Sequence, residues 1–186
     1  MNITLISLLS FAGYYFTNHL PYKYVWRSPL DKFVPLAPLF LIPYVSLFPY
    51  LLLSYLLLTE PIHSLFAIAI TICNVLATAF WTTFPNGVPR QNIKTAGWSK
   101  PMLDFIYRHD GDNNGLPSGH VYLSVICSYF LSLQYPSLLW LLIIWGGAIA
   151  ISTVLVKQHF LVDILGGLVF ATVSIWLSHY LTIGFI

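Results

Sequence analysis

Long apolar runs, each closed by a short polar or proline-bearing stretch, make up most of this chain. A bilayer-spanning helix needs roughly 20 apolar residues. The runs predict six such helices, over residues 3–20, 34–58, 61–84, 118–135, 138–156 and 160–182. The first is short and weak and ends in Asn18 and His19. The second holds Pro35, Pro38, Pro43 and Pro49, which predict a kinked or partly interfacial first half. The third follows a tight turn at Thr59-Glu60-Pro61. Small residues, Gly146-Gly147-Ala148 in the fifth run and Gly166-Gly167 in the sixth, let bilayer helices approach closely. Between the third and fourth runs the pattern stops. Residues 85–117 carry Arg90, Lys94, Lys100, Asp104, Arg108, Asp110 and Asp112 with little periodicity. A loop of that length is usually functional or disordered, and its apolar piece, 102–107, predicts a short helix along the membrane surface. The expected fold is all-α: one polytopic domain over residues 1–186, with six transmembrane helices and a long polar loop between the third and fourth.

Composition agrees. The chain is 58% hydrophobic and 8% charged, whereas charged residues make up about a quarter of a soluble domain. Aromatics at 17% suit helices that end in the interfacial belts of a bilayer. Eight Lys and Arg against six Asp and Glu give no reason to expect nucleic acid as a partner. The expected partners are the bilayer and a small substrate, and nothing in the pattern sets an oligomeric state. Cys73 and Cys127 sit inside apolar runs and read as buried thiols. Residues 1–20 lack the basic stretch that opens a cleavable signal, so none is expected. Six spans put the 21–33, 85–117 and 157–159 connections on one face, and every Lys and Arg lies in them.

Candidate chemistry collects on that face. Leu116-Pro117-Ser118-Gly119-His120 stands where the long loop meets the fourth run. Pro117 fits a first helical turn, Ser118 can cap free N–H groups, and Gly119 lets a ligand approach the backbone. A histidine just inside a helix start is a natural seat for phosphate. Those five residues alone are equally well read as a plain loop-to-helix junction. The sixth run opens with Lys157-Gln158-His159-Phe160-Leu161-Val162-Asp163. His159 and Asp163 are four apart and share a face if both are helical. A carboxylate inside a span needs a partner, and one that holds a ring N–H aims the other nitrogen outward. A buried pair that only packs the helix is the plainer alternative. With Arg90 after the third run, these segments converge on one membrane face and suit phosphoryl transfer without a metal. His159 would attack phosphorus, His120 would protonate the leaving group, and Arg90, Ser118 and the Gly119 N–H would hold the oxygens.

These residues resemble a family. Ser118-Gly119-His120, preceded by Pro117, is similar to the second signature motif of the type 2 phosphatidic acid phosphatase superfamily. Ser152-Thr153, followed by His159 and Asp163, resembles its third motif, and Phe84-Pro85 with Val88-Pro89-Arg90 a remnant of its first. The resemblance covers residues 84–167. It implies a six-helix core, a covalent intermediate on His159, a lipid phosphate substrate and no metal cofactor. It also implies Ser152 and Arg90 as substrate contacts. Three positions depart from the family pattern: Thr83 stands for the usual lysine of the first motif, Gln91 for its proline, and Thr153 for the arginine of the third. Asp110 and Asn114 ahead of Pro117, with Lys157-Gln158, resemble the branch that contains sphingomyelin and inositol phosphorylceramide synthases, and Asn114 is expected as a further substrate contact. That branch moves a phospho-headgroup onto an alcohol. Lys94, Lys100 or Lys157 would restore the missing positive charge, with Lys157 preferred.

Two other readings use the same residues. An intramembrane serine protease of rhomboid type pairs a fourth-helix serine with a sixth-helix histidine, but its Gly-x-Ser pattern would need a glycine where Leu116 stands. A transporter or channel could line a path with His120, Ser124, Ser128 and Ser132, which leaves Arg90 and the His159–Asp163 pair without a role. His109 reads as a loop residue near the site, and His19, His63 and His179 as span-end residues. Counting positive charge puts the site face in the cytoplasm. The family resemblance implies the opposite side, which is the expectation adopted here.

Overall fold

A computed structural model describes residues 2–90 and 97–183. It contains nine α-helices and three 3-10 turns, and no strand among the described residues. The order is α1 (Ile3–Ser10), α2 (Ala12–Asn18), 3-10 turns at Pro29–Phe33 and Pro38–Phe40, α3 (Leu41–Val45), α4 (Leu47–Leu57) and α5 (Ile62–Thr83). It continues with α6 (Ser99–His109), α7 (Gly119–Gln134), a 3-10 turn at Pro136–Leu138, α8 (Leu139–Leu155) and α9 (Leu161–Ile183).

Where six spans were expected, four helical segments among the described residues are long and apolar enough to cross a bilayer: Pro38–Leu57, Ile62–Thr83, Pro136–Leu155 and Leu161–Thr182. Four such segments fit an integral membrane protein. The first expected run is split at Phe11 into α1 and α2, and its end buries the polar Thr17 and Asn18. The second is a 3-10 turn followed by α3 and α4, broken where its prolines remove helical N–H donors. The fourth, α7, has only 16 residues because Tyr135-Pro136 ends it. It packs against α4, α5, α8 and α9, and little of it faces outward.

Van der Waals packing and small residues hold such helices together, since lipid tails are as apolar as leucine. Phe66, Ile70, Cys73, Ala77 and Trp81 of α5 meet Tyr122, Ile126 and Phe130 of α7, Ile149 of α8 and Ala171 of α9. A Cβ on Gly167 would collide with Val121 and the Ser118 carbonyl, and one on Gly146 with the Ser128 hydroxyl. Gly147, expected in the same role, has nothing within 4 Å. The serines that the transporter reading places along a path donate to backbone carbonyls: Ser124 to Val121, Ser128 to Leu142 and Ser132 to Tyr129.

The connection from α5 to α7 is buckled at its base by one amide. Asn86 Nδ2 donates to the carbonyls of Phe84 (2.8 Å) and Leu116 (2.9 Å), and its Oδ1 accepts the Leu116 N–H. Val88 N–H donates to the Asp112 carbonyl, and Gly87 N–H to that of Tyr24 in the segment before α3. The expected surface helix is α6, whose Leu103, Ile106 and Tyr107 pack on Leu41, Tyr44 and Val156.

Candidate active site

Ser118 is the residue before the first turn of α7, with extended backbone, so Pro117 lies outside the helix and not in its first turn as expected. The Ser118 side chain makes no capping bond; its Oγ is buried without a partner among the described residues. Its N–H donates to the Asp163 carbonyl in the first turn of α9 (3.1 Å). One backbone bond therefore sets the two motif-bearing helix starts side by side. His120, one turn-step further on, stacks on Tyr44 of α3 with ring centroids 4.1 Å apart and planes 16° apart. Phe48 meets it edge-on at 6.2 Å. His120 Nε2 is also buried without a partner among the described residues.

α9 begins at Leu161, so His159 precedes the helix and does not share a helical face with Asp163. The pair still forms, because the chain turns sharply after α8. Lys157 adopts a positive φ of 60°, and the N–H groups of Gln158 and His159 both donate to the Thr153 carbonyl (2.9 and 3.1 Å). That turn brings His159 Nδ1 to 3.3 Å from Asp163 Oδ2, an oxygen that also accepts the Phe160 N–H at 2.8 Å. Asp31, far away in sequence, accepts the Leu161 N–H at 2.8 Å. Two carboxylates thus accept from two of the free N–H groups at one helix start, where the helix dipole favours negative charge. The His159 side chain is 11% exposed, and no hydrogen bond among the described residues occupies its Nε2.

Arg90 joins these starts to the loop. Its Nη1 donates to Gln158 Oε1, and its Nη2 to the carbonyls of Asp110 (3.1 Å) and Gly111. Its guanidinium lies over the Tyr107 ring, 5.2 Å from the centroid. Burial pushes the Tyr107 phenol up to about 12, with Arg90 opposing. The expectation was an arginine turned to the substrate; the protein's own carbonyls engage both Nη atoms, and Nε is buried without a partner among the described residues. Asp110, which lies 3.8 Å from Arg90, accepts from Tyr14 Oη (2.9 Å) and Asn18 Nδ2 (2.6 Å).

The other candidates separate. Lys157 donates to the Val34 carbonyl and lines a small pocket with Asp31, Val34, His159 and Phe160. Its pKa is lowered by burial, with Asp31 opposing and Arg27 adding to the fall. Asn114, at a φ of 61°, clamps the loop to α2 by donating to the Tyr14 carbonyl and Thr17 Oγ1. Ser152 is fully buried and donates to Ile149 of its own helix. Lys100 pairs with Asp104 at 2.7 Å, and Lys94 lies outside the described residues. His109 lies against Phe105 of its own helix, and His179 bonds Tyr129 Oη at 3.1 Å. Among the described residues no three His, Cys, Asp or Glu side chains are grouped to hold a metal ion.

A family model described as the PAP2 superfamily matches residues 62–184. The chain belongs to the PAP2 superfamily. Neither curated proteins nor solved structures yield a match. PAP2 proteins are phosphatases or phosphotransferases acting on lipid or phosphate substrates. The PAP2 match begins at α5 and takes in His120, His159, Asp163 and Arg90. Outside it lie the supporting residues that the sequence did not single out: Tyr14 and Asn18 on Asp110, Asp31 on α9, and Tyr44 against His120. Only Asp31 carried a local signal. Ser28-Pro29-Leu30-Asp31 has the Ser-x-x-acid spacing of a capping box, and that box is present.

Proposed function

We propose that the chain is a membrane-embedded phosphatase or phosphotransferase that acts on a lipid phosphate through a phosphohistidine. His159 Nε2 attacks phosphorus, Asp163 keeps the proton on Nδ1, and the bond from phosphorus to the lipid oxygen breaks. His120 carries both ring protons once the negative substrate lies beside it, and gives one to the departing oxygen. Water or a second alcohol then attacks phosphorus, His120 takes its proton, the P–N bond breaks and His159 is restored. The Ser118 hydroxyl and the Gly119 N–H hold the equatorial oxygens, with Arg90 and Lys157 as the positive field. Asn114 and Ser152 support the site's backbone in this scheme and do not touch substrate. No metal takes part.

The observation that carries this reading is the Ser118–Asp163 backbone bond, which joins the segment of one histidine to the carboxylate partner of the other. The motif spacing around Asn114 and Lys157-Gln158 favours a transferase of the sphingomyelin synthase kind, in which an alcohol replaces water. The site face lies outside the cytoplasm. The test is phosphate release from a panel of lipid phosphates in mixed micelles, with and without an alcohol acceptor. His159→Ala abolishes turnover and His120→Ala lowers it by about 10²–10⁴-fold; undiminished turnover by His159→Ala sinks the proposal.

A further inference from the structure

The two histidines face different surroundings. His159 borders the small pocket of Asp31 and Lys157. His120 borders a cleft of about 370 Å³ whose walls come from α1, α2, α4 and α7, among them Leu8, Phe11, Leu47, Phe48, Leu51 and Leu123. A second cavity of about 420 Å³ opens from the same point toward α6, and reaches the polar Asn18, His19, His109 and Asp110. The two share Tyr14, Phe48 and His120 in their walls, so an apolar flank and a polar mouth adjoin at His120. Leu8 and Phe48 on the apolar flank are exposed, so the cleft is open where lipid would lie.

A general acid must come within about 2.6–3.2 Å of the oxygen it protonates. In a lipid phosphate that oxygen bears the hydrocarbon. We infer that the cleft between α1–α2 and α4 holds the hydrocarbon chain of the phosphate ester, with the chain leaving phosphorus on the His120 side. This rests on the roles proposed above for the two histidines. The substrate is then a phosphate ester of a long-chain alcohol drawn from the bilayer. The phosphoryl group stays on the charged His159 side, and the released alcohol, which receives its proton from His120, returns to lipid along the same wall. Specificity for the chain resides in residues outside the family match, on α1 and α4.

The experiment compares hexadecyl phosphate with the chainless phenyl phosphate in the full-length protein in micelles. Leu8→Trp and Leu51→Trp fill the cleft from its apolar walls, at residues with no part in the proposed chemistry. Both raise KM for hexadecyl phosphate on the order of tenfold, the equivalent of about two buried methylenes, and leave kcat/KM for phenyl phosphate within about twofold. Equal effects on both esters, or none on hexadecyl phosphate, overturn the assignment. A second arm is independent of turnover: hexadecyl phosphate with a diazirine at its chain end labels α1 and α4. Label confined to the groove of Leu76, Phe80 and Phe170 on α5 and α9 overturns it as well. If the wild type releases phosphate from neither ester, the phosphohistidine reading falls, and the labelling arm still decides the cleft.

Discussion

One oxygen of Asp163 serves two partners: it faces the His159 ring and it accepts the Phe160 N–H that starts α9. Asp163→Asn keeps an acceptor for the backbone but removes the charge that fixes the imidazole. It should therefore lower kcat by about 10²–10⁴-fold with little loss of folded protein, measured as phosphate release against circular dichroism in micelles. Lys157 makes a pH prediction. Its pKa is lowered chiefly by burial, so it loses charge at a lower pH than an ordinary lysine. If it holds phosphate, KM climbs on the alkaline side before an unperturbed lysine would titrate. Lys157→Arg removes the climb, because guanidinium stays charged. At this scale the sequence showed what is local. His159 and Asp163 were legible because they are four apart, although their contact comes from a turn and not a shared helical face. The Asp31 contact with Leu161 spans 130 residues and leaves no periodic trace. Nor could the sequence show that Arg90 Nη2 is engaged by the carbonyls of 110 and 111, since a backbone carbonyl has no residue type to read.

Among the elements, α7 and α9 leave no room for a Cβ where Gly167 faces Val121 and the Ser118 carbonyl. Gly167→Ala must push the helices apart at the point where the Ser118–Asp163 bond joins them. Activity should fall at least tenfold while the protein still inserts, since the added methyl suits the membrane and only the register is lost. Asp31→Ala removes an acceptor from the first turn of α9 and should lower stability by about 1–2 kcal/mol, read as a lower melting temperature in micelles. Long uniform runs such as α5, α8 and α9 were readable almost to their ends, because length and apolarity alone specify them. The runs that broke, α1–α2 and α3–α4, contain residues whose preferences are settled by neighbours. Thr17 and Asn18 turn toward the 110–114 segment, and prolines break the start of the second span. The loop after α5 read as irregular because its order comes from the Asn86 amide, which bridges two stretches of chain far apart in sequence.

For the whole molecule, the count of positive charge and the sidedness proposed above disagree, and one labelling experiment separates them. Arg108 is exposed on α6, whereas Cys73 and Cys127 are buried and should stay silent. A cysteine at 108 should react with an impermeant maleimide from outside intact cells; reaction only after lysis puts the site face in the cytoplasm. The same bundle has a further consequence during synthesis. α7, with 16 residues enclosed by α4, α5, α8 and α9, offers lipid too little apolar wall to remain in the bilayer unaccompanied. A nascent chain halted just beyond Tyr135 should release this stretch to alkaline carbonate, whereas one extended through Leu155 should retain it, because α8 arrives as its escort. The helix that begins at His120's turn would then be the last part of the site to settle, held back until its successor emerges.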